Sequence, residues 1–81
     1  MDIQREVLSV LESVLNLQGR SANWTSSQNL LGAVPELDSM AVVAVITSLE
    51  EHFGFVVDDD DIDGSTFQTV GSLVAFVEGK L

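Results

Sequence analysis

The chain has 81 residues, no cysteine, 46% hydrophobic residues and a formal net charge of −10 from 13 acidic and three basic side chains. Disulfides and thiolate metal sites are excluded, and any thiol chemistry must come from a group the chain carries. Residues 1–81 are too apolar for a disordered chain and too few for more than one domain. They are too acidic for nucleic acid or an anionic membrane surface, and they lack the ~18 consecutive apolar residues of a membrane span or a basic-then-apolar leader. The expectation is one soluble, monomeric, cytoplasmic domain.

Residues 2–17 carry Ile3, Val7, Leu8, Leu11, Val14 and Leu15. This spacing is one apolar helical stripe, with Asp2 placed to cap its start and Gly19 just past its end. Residues 18–38 form a polar connection rich in Gly, Ser and Asn, too long for an ordinary linker. Trp24, Leu30, Leu31, Val34 and Leu37 are placed to pin it to a core, with Trp24 under the first helix and its indole N–H paired. Thr25-Ser26-Ser27-Gln28 matches a capping box and predicts the start of a short extra helix.

The longest uninterrupted helical pattern is 39–53, stopped by Gly54. At about 100° per residue, Val42, Val45, Ile46, Leu49 and Phe53 fall on one side. Met40, Val43, Ala44, Thr47, Ser48 and Glu51 lie on or beside the other, so the face expected in water is unusually apolar near Ser39. Residues 58–64, Asp-Asp-Asp-Asp-Ile-Asp-Gly, read as a loop or a single helical turn. Thr69 is placed to cap a last helix carrying Val70, Leu73, Val74, Phe76 and Val77 and ended by Gly79. The predicted fold is all-α: a small bundle of three main helices plus a short extra helix, with a long first loop.

Ser39 is the candidate functional residue. Asp38-Ser39 ahead of an apolar helix is what an ordinary N-terminal cap looks like. The same place suits a phosphate, because the free backbone N–H groups and the helix dipole both favour negative charge. His52 is the only histidine, thirteen residues beyond Ser39 and about 20 Å along the helix, so a Ser-His catalytic pair is excluded there. Met40, Val43 and Ala44 form an apolar patch beside Ser39 that reads either as scattered surface residues or as a docking surface. Asp59, Asp61, Asp63 and Gly64 fit the first half of an EF-hand loop, but Val70 stands where the bidentate Glu belongs. A solvated acidic turn is the simpler reading, and a weak calcium-binding domain stays as an alternative. So does an unmodified acidic module that binds a basic partner.

The length, the acidity, the long first loop, Leu37-Asp38-Ser39-Met40 opening the second helix and Leu49-Glu50-Glu51-His52-Phe53-Gly54 closing it resemble the acyl carrier protein family. The resemblance spans nearly the whole chain and is strongest from Leu37 to Val74. It implies a non-catalytic carrier with 4′-phosphopantetheine joined to Ser39, Asp38 as the flanking motif residue, and Met40 in place of the usual leucine. The implied partners are a phosphopantetheinyl transferase and acyl-handling enzymes that read Met40, Val43, Ala44, Thr47, Glu50 and Glu51. Ala41 and Ala44 stand where the family commonly has acids, a departure from the housekeeping fatty-acid carriers. The run from Leu30 to Met40, with Phe53-Gly54-Phe55 and Asp58 to Gly64, looks more like the specialised bacterial carriers of exosortase (PEP-CTERM) and exopolysaccharide gene clusters. That likeness implies an adenylate-forming acyl ligase or an acyltransferase as partner.

Overall fold

Asp2 caps the first helix as its position predicts: its carboxylate accepts the Arg5 N–H at 3.2 Å. The computed structural model describes residues 2–81, with Asp59 described by its backbone alone. Helix α1 runs Ile3–Leu15, shorter than the expected 2–17. Asn16 stops it in the left-handed conformation (φ 52°), its N–H on the Glu12 carbonyl. Asparagine tolerates that conformation better than other side-chain-bearing residues, so the stop falls there and not at Gly19.

The short extra helix is also displaced. A 3-10 turn forms at Arg20–Asn23, ahead of the predicted capping box. Thr25 closes an ordinary turn instead: its carbonyl accepts from Gln28 N at 3.1 Å and its hydroxyl from Ser27 N at 3.3 Å. The Gln28 side chain donates forward to the Asn29 carbonyl and does not reach back. Glu12 ties the 3-10 turn to α1 by accepting from Ser21 Oγ at 2.6 Å and Gly19 N at 3.0 Å. Those two bonds, the Ser21 hydroxyl first, hold the Glu12 carboxyl below the usual carboxylate range.

The rest of the long connection pairs with the segment before α3. Leu30 N bonds Gln68 O, Leu31 N bonds Phe67 O, Val70 N bonds Gln28 O and Gly71 N bonds Ser26 O, at 2.9–3.1 Å, around an isolated antiparallel bridge between Asn29 and Thr69. Gly71 is required by the close approach: a Cβ there would lie 3.0 Å from the Ser26 carbonyl oxygen. Leu30, Val34 and Leu37 are buried as expected. Leu31 is not; it is 44% exposed, because the bridge turns its side chain away from the core-facing Leu30. Trp24 packs half-buried against the core, and its indole N–H has no hydrogen-bond partner among the described residues, contrary to expectation.

Helix α2 spans Ser39–Phe53, with Gly54 (φ 77°) closing it through its N–H on the Glu50 carbonyl at 2.8 Å. Val45 and Leu49 are fully buried, while Val42, Ile46 and Phe53 pack at the core margin. A single 3-10 turn follows at Asp59–Asp61, which Asp61 fastens to the C-terminal end of the chain by an ion pair with Lys80 Nζ at 2.6 Å. The Lys80 ammonium, with the Asp58 N–H, holds the Asp61 carboxyl below its usual range. Helix α3 covers Val70–Lys80, and Thr69 caps it in a box with Ser72. It runs through Gly79, which was expected to end it; Leu81 N closes the last turn on Val77 and Glu78.

Helix α1 packs against both α2 and α3, and the connecting segments complete the core. Leu17, Leu30, Val34, Leu37 and Phe67, all outside α1–α3, belong to one cluster with Val7, Leu11, Val45, Leu49, Val70, Leu73 and Val77. Phe67 is 2% exposed and had no signal in the helical periodicity, because it lies in the turn before α3. The radius of gyration, 11.4 Å, is close to the ~12 Å of a compact chain this long. No strand occurs among the described residues, and no helix is long and apolar enough to cross a membrane.

Thirteen acids against three cations leave a self-repelling surface, densest from Asp58 to Asp63. The melting temperature at pH 7 is expected to rise with added salt, which shortens repulsion to ~8–10 Å at physiological strength. Divalent cations should act more strongly than matched monovalent salt, without a saturable tight site. A flat or falling melting temperature would mean that the few ion pairs outweigh the repulsion. Glu12, Asp61 and Asp63 carry lowered carboxyl values in the fold. Their stabilising contribution is therefore complete above the ordinary carboxylate range and is lost as the pH falls through their folded values.

Candidate functional site

Asp38 stands in extended backbone before α2, and its Oδ1 accepts the Ala41 N–H at 2.8 Å while its carbonyl accepts the Val42 N–H at 2.9 Å. The cap oxygen therefore comes from Asp38, not from Ser39. Ser39 is the first residue of the helix and is exposed, and its hydroxyl has no hydrogen-bond partner among the described residues. The backbone N–H groups of Ser39 and Met40 are likewise unpaired among the described residues, as expected of the first helical turn. Unpaired donors and the positive end of the dipole suit a phosphodiester on that hydroxyl. His52 is not beside it: it lies at the other end of α2, paired with Glu6 Oε1 at 2.7 Å.

The candidate interface residues divide by exposure. Met40 (79% exposed), Val43 (61%), Ala44 and Thr47 share the water-facing side of α2, and Glu51 continues it. No charged residue occurs from Ser39 to Leu49. Glu50 sits off this stripe, half-buried, with its Oε2 accepting the Val57 N–H at 2.8 Å. It holds the chain after α2 in place, a role that spacing along the helix does not reveal. Arg20 and Glu36 were also missed. They form an ion pair that joins the first 3-10 turn to the segment leading into Asp38. Sixteen positions apart in polar segments, they carry no periodic signal.

The acidic turn does not assemble as a metal site among the described residues. Asp61 is engaged by Lys80 and the Asp58 N–H, and Asp63 Oδ1 accepts from Ser65 Oγ at 2.6 Å and Ser65 N at 2.9 Å. The Ser65 hydroxyl is the main reason the Asp63 carboxyl lies below its usual range. The Asp59 side chain lies outside the described residues, and no group of three or more potential ligands occurs among the rest.

An exposed hydroxyl at the start of a helix, on a small helical bundle, is a place where a group can be attached. The family model described as a phosphopantetheine attachment site matches residues 5–77, and the chain belongs to that family. A holo acyl carrier protein from Nitrosomonas europaea, solved in solution by NMR, is 56% identical; the match covers 99% of this chain and 96% of that one, with a TM-score of 0.91. No curated protein shows a significant match. The protein is thus a non-catalytic acyl carrier with covalently attached 4′-phosphopantetheine, served by a phosphopantetheinyl transferase and acyl-handling enzymes.

Proposed function

We propose that Ser39 is the attachment residue and that residues 1–81 act as one monomeric, cytoplasmic carrier domain. The observation that carries this reading is the division of labour at the start of α2: Asp38 caps the helix, which leaves the Ser39 hydroxyl exposed and unpaired. In the transfer, Ser39 Oγ forms a bond to phosphorus, the pyrophosphate link of coenzyme A breaks, and the nucleotide half leaves. The transferase takes the Ser39 proton. When bound, the group supplies a terminal thiol that holds the acyl chain as a thioester. Its flexible arm raises the local concentration of that chain at a partner's active site. Incubation with coenzyme A and a phosphopantetheinyl transferase, followed by intact mass and peptide mapping, tests the site. A protein that stays at its original mass with an active transferase is an unmodified interaction module.

The acyl-loading partner fits an adenylate-forming ligase or an acyltransferase of the kind found with specialised exosortase-type carriers. The support is the uncharged stripe of α2, where Ala41 and Ala44 replace carboxylates that would resist desolvation on docking. Along α2 such a partner meets an apolar surface near Ser39 and an exposed carboxylate at Glu51 at the far end, with Glu50 half-buried beside it. Val43→Asp is expected to fold normally, because Val43 is 61% exposed, and to weaken the productive complex by ~1–3 kcal/mol. Glu51→Gln should mainly slow association, most visibly at low salt, whereas Glu50→Gln also weakens the charge-assisted bond to Val57 N–H and so lowers stability as well. Loading kinetics across a salt series read both effects. Wild-type loading by Val43→Asp would move recognition away from this face, to the 18–38 connection.

A further inference from the structure

We propose that Arg20 and Glu36 form a positioning clamp that presents Ser39 to the transferase, an inference that rests on Ser39 being the attachment residue. Arg20 Nε donates to the Leu17 carbonyl at 3.2 Å, and the end of its guanidinium pairs with the Glu36 carboxylate. Leu17 is fully buried, and the neighbouring Ser21 is buried with its hydroxyl on Glu12 of α1. The base of the guanidinium is therefore fixed to the core. On the other side, the Glu36 carbonyl accepts the Asp38 N–H at 3.2 Å, and Asp38 caps α2 beside Ser39. A continuous line of polar contacts thus runs from α1, through one cation, to the residue before the modified serine.

The clamped segment needs this contact more than most of the chain. Gly32, Ala33, Pro35 and Glu36 are exposed, and only Val34 and Leu37 anchor the stretch by burial. Val34 N and Leu37 N make the local turn bonds, to Leu30 O and Val34 O, so no other described hydrogen bond ties 33–37 to a distant element. Without the pair, a larger fraction of molecules holds Asp38-Ser39 out of register. A transferase that binds only the ordered form then sees its affinity reduced by that fraction. The pair is half-exposed, so the effect is that of a surface ion pair and not of a buried one.

The experiment measures steady-state phosphopantetheine transfer to the full-length apo chain and to Arg20→Gln, Glu36→Gln and the double variant, at 25 °C and low salt. Peptide mapping of the modified parent comes first; modification at a residue other than Ser39 overturns the site and the clamp together. With Ser39 confirmed, each single variant is expected to raise KM for the carrier about two- to threefold with kcat unchanged. The double variant should be no worse than either single, because both act through one contact. Amide exchange should quicken at 36–42 and stay unchanged in the cores of α1 and α3, which separates positioning from general destabilisation. Near 1 M salt, where screening reaches ~3 Å, the differences should shrink. Net charge alone predicts the opposite for Arg20→Gln, since a more acidic carrier meets a basic enzyme faster. A KM that rises only for Glu36→Gln, or for neither variant, overturns the clamp.

Discussion

Ser39→Ala is expected to abolish phosphopantetheinylation outright while the helical circular dichroism stays that of the parent. The loss is complete because the reaction forms a bond to the hydroxyl oxygen, and alanine has no atom to bond. Stability is the informative control. Had Ser39 supplied the helix cap, its removal would cost ~1 kcal/mol. The cap oxygen is Asp38 Oδ1, 2.8 Å from Ala41 N, and Ser39 is exposed. The expected change in unfolding free energy is therefore within about 0.5 kcal/mol. Asp38→Ala should show the reverse: a loss of ~1 kcal/mol, with the hydroxyl still present to be modified. Intact mass after incubation with coenzyme A and transferase, alongside denaturant melts, reads both quantities. A mass shift on the Ser39→Ala protein would place the arm on another residue.

Phe67→Ala is expected to give the largest loss of stability of any single change outside α1–α3. Phe67 is 2% exposed, and its backbone carbonyl also accepts the Leu31 N–H that holds the long connection. Removing a buried phenyl ring typically costs ~3–5 kcal/mol in transfer and cavity terms. A chain of this length has a total stability of about 4–12 kcal/mol. The variant should therefore be marginal near physiological temperature, with a melting point lower by roughly 15–30 °C. At temperatures where it is folded, Ser39 should still accept the group, since the ring lies in the core and not at the start of α2. Urea unfolding tests the first part and modification of the folded fraction the second. A cost below about 1 kcal/mol would mean that the core closes over the vacancy.

These two variants separate what the site needs from what the fold needs, and the same division marks how far the sequence could be read. The helical elements were legible because their signals are short-range. Caps act over three residues, as Asp2, Asp38 and Thr69 do on Arg5, Ala41 and Ser72. Apolar periodicity acts over one or two turns, enough to set the bounds of α2 at Ser39 and Phe53 and to turn Val45 and Leu49 inward. The Asp38-Ser39 motif, the distance to the only histidine and the uncharged stripe that follows are also local in the sequence. Alone they read as an ordinary helix cap; the resemblance of the whole layout to the acyl carrier family is what indicated a carrier and made Ser39 the candidate residue.

The remainder depended on partners far apart in the chain, which no window of the sequence contains. Asn29 meets Thr69, and Gly71 lets the backbone at Ser26 approach to 2.9 Å; that pairing moved the short helix forward to Arg20 and turned Leu31 outward. Phe67 enters the core from a turn with no periodicity of its own. Glu50 binds Val57, and Arg20 reaches Glu36. Each of these contacts is decided by where three helices leave room and unpaired backbone groups, a property of the packed molecule. The sequence by itself determined the helices, their caps and the exposed serine; the tertiary structure decided the path of the connections and which charged side chains hold that serine's segment in place.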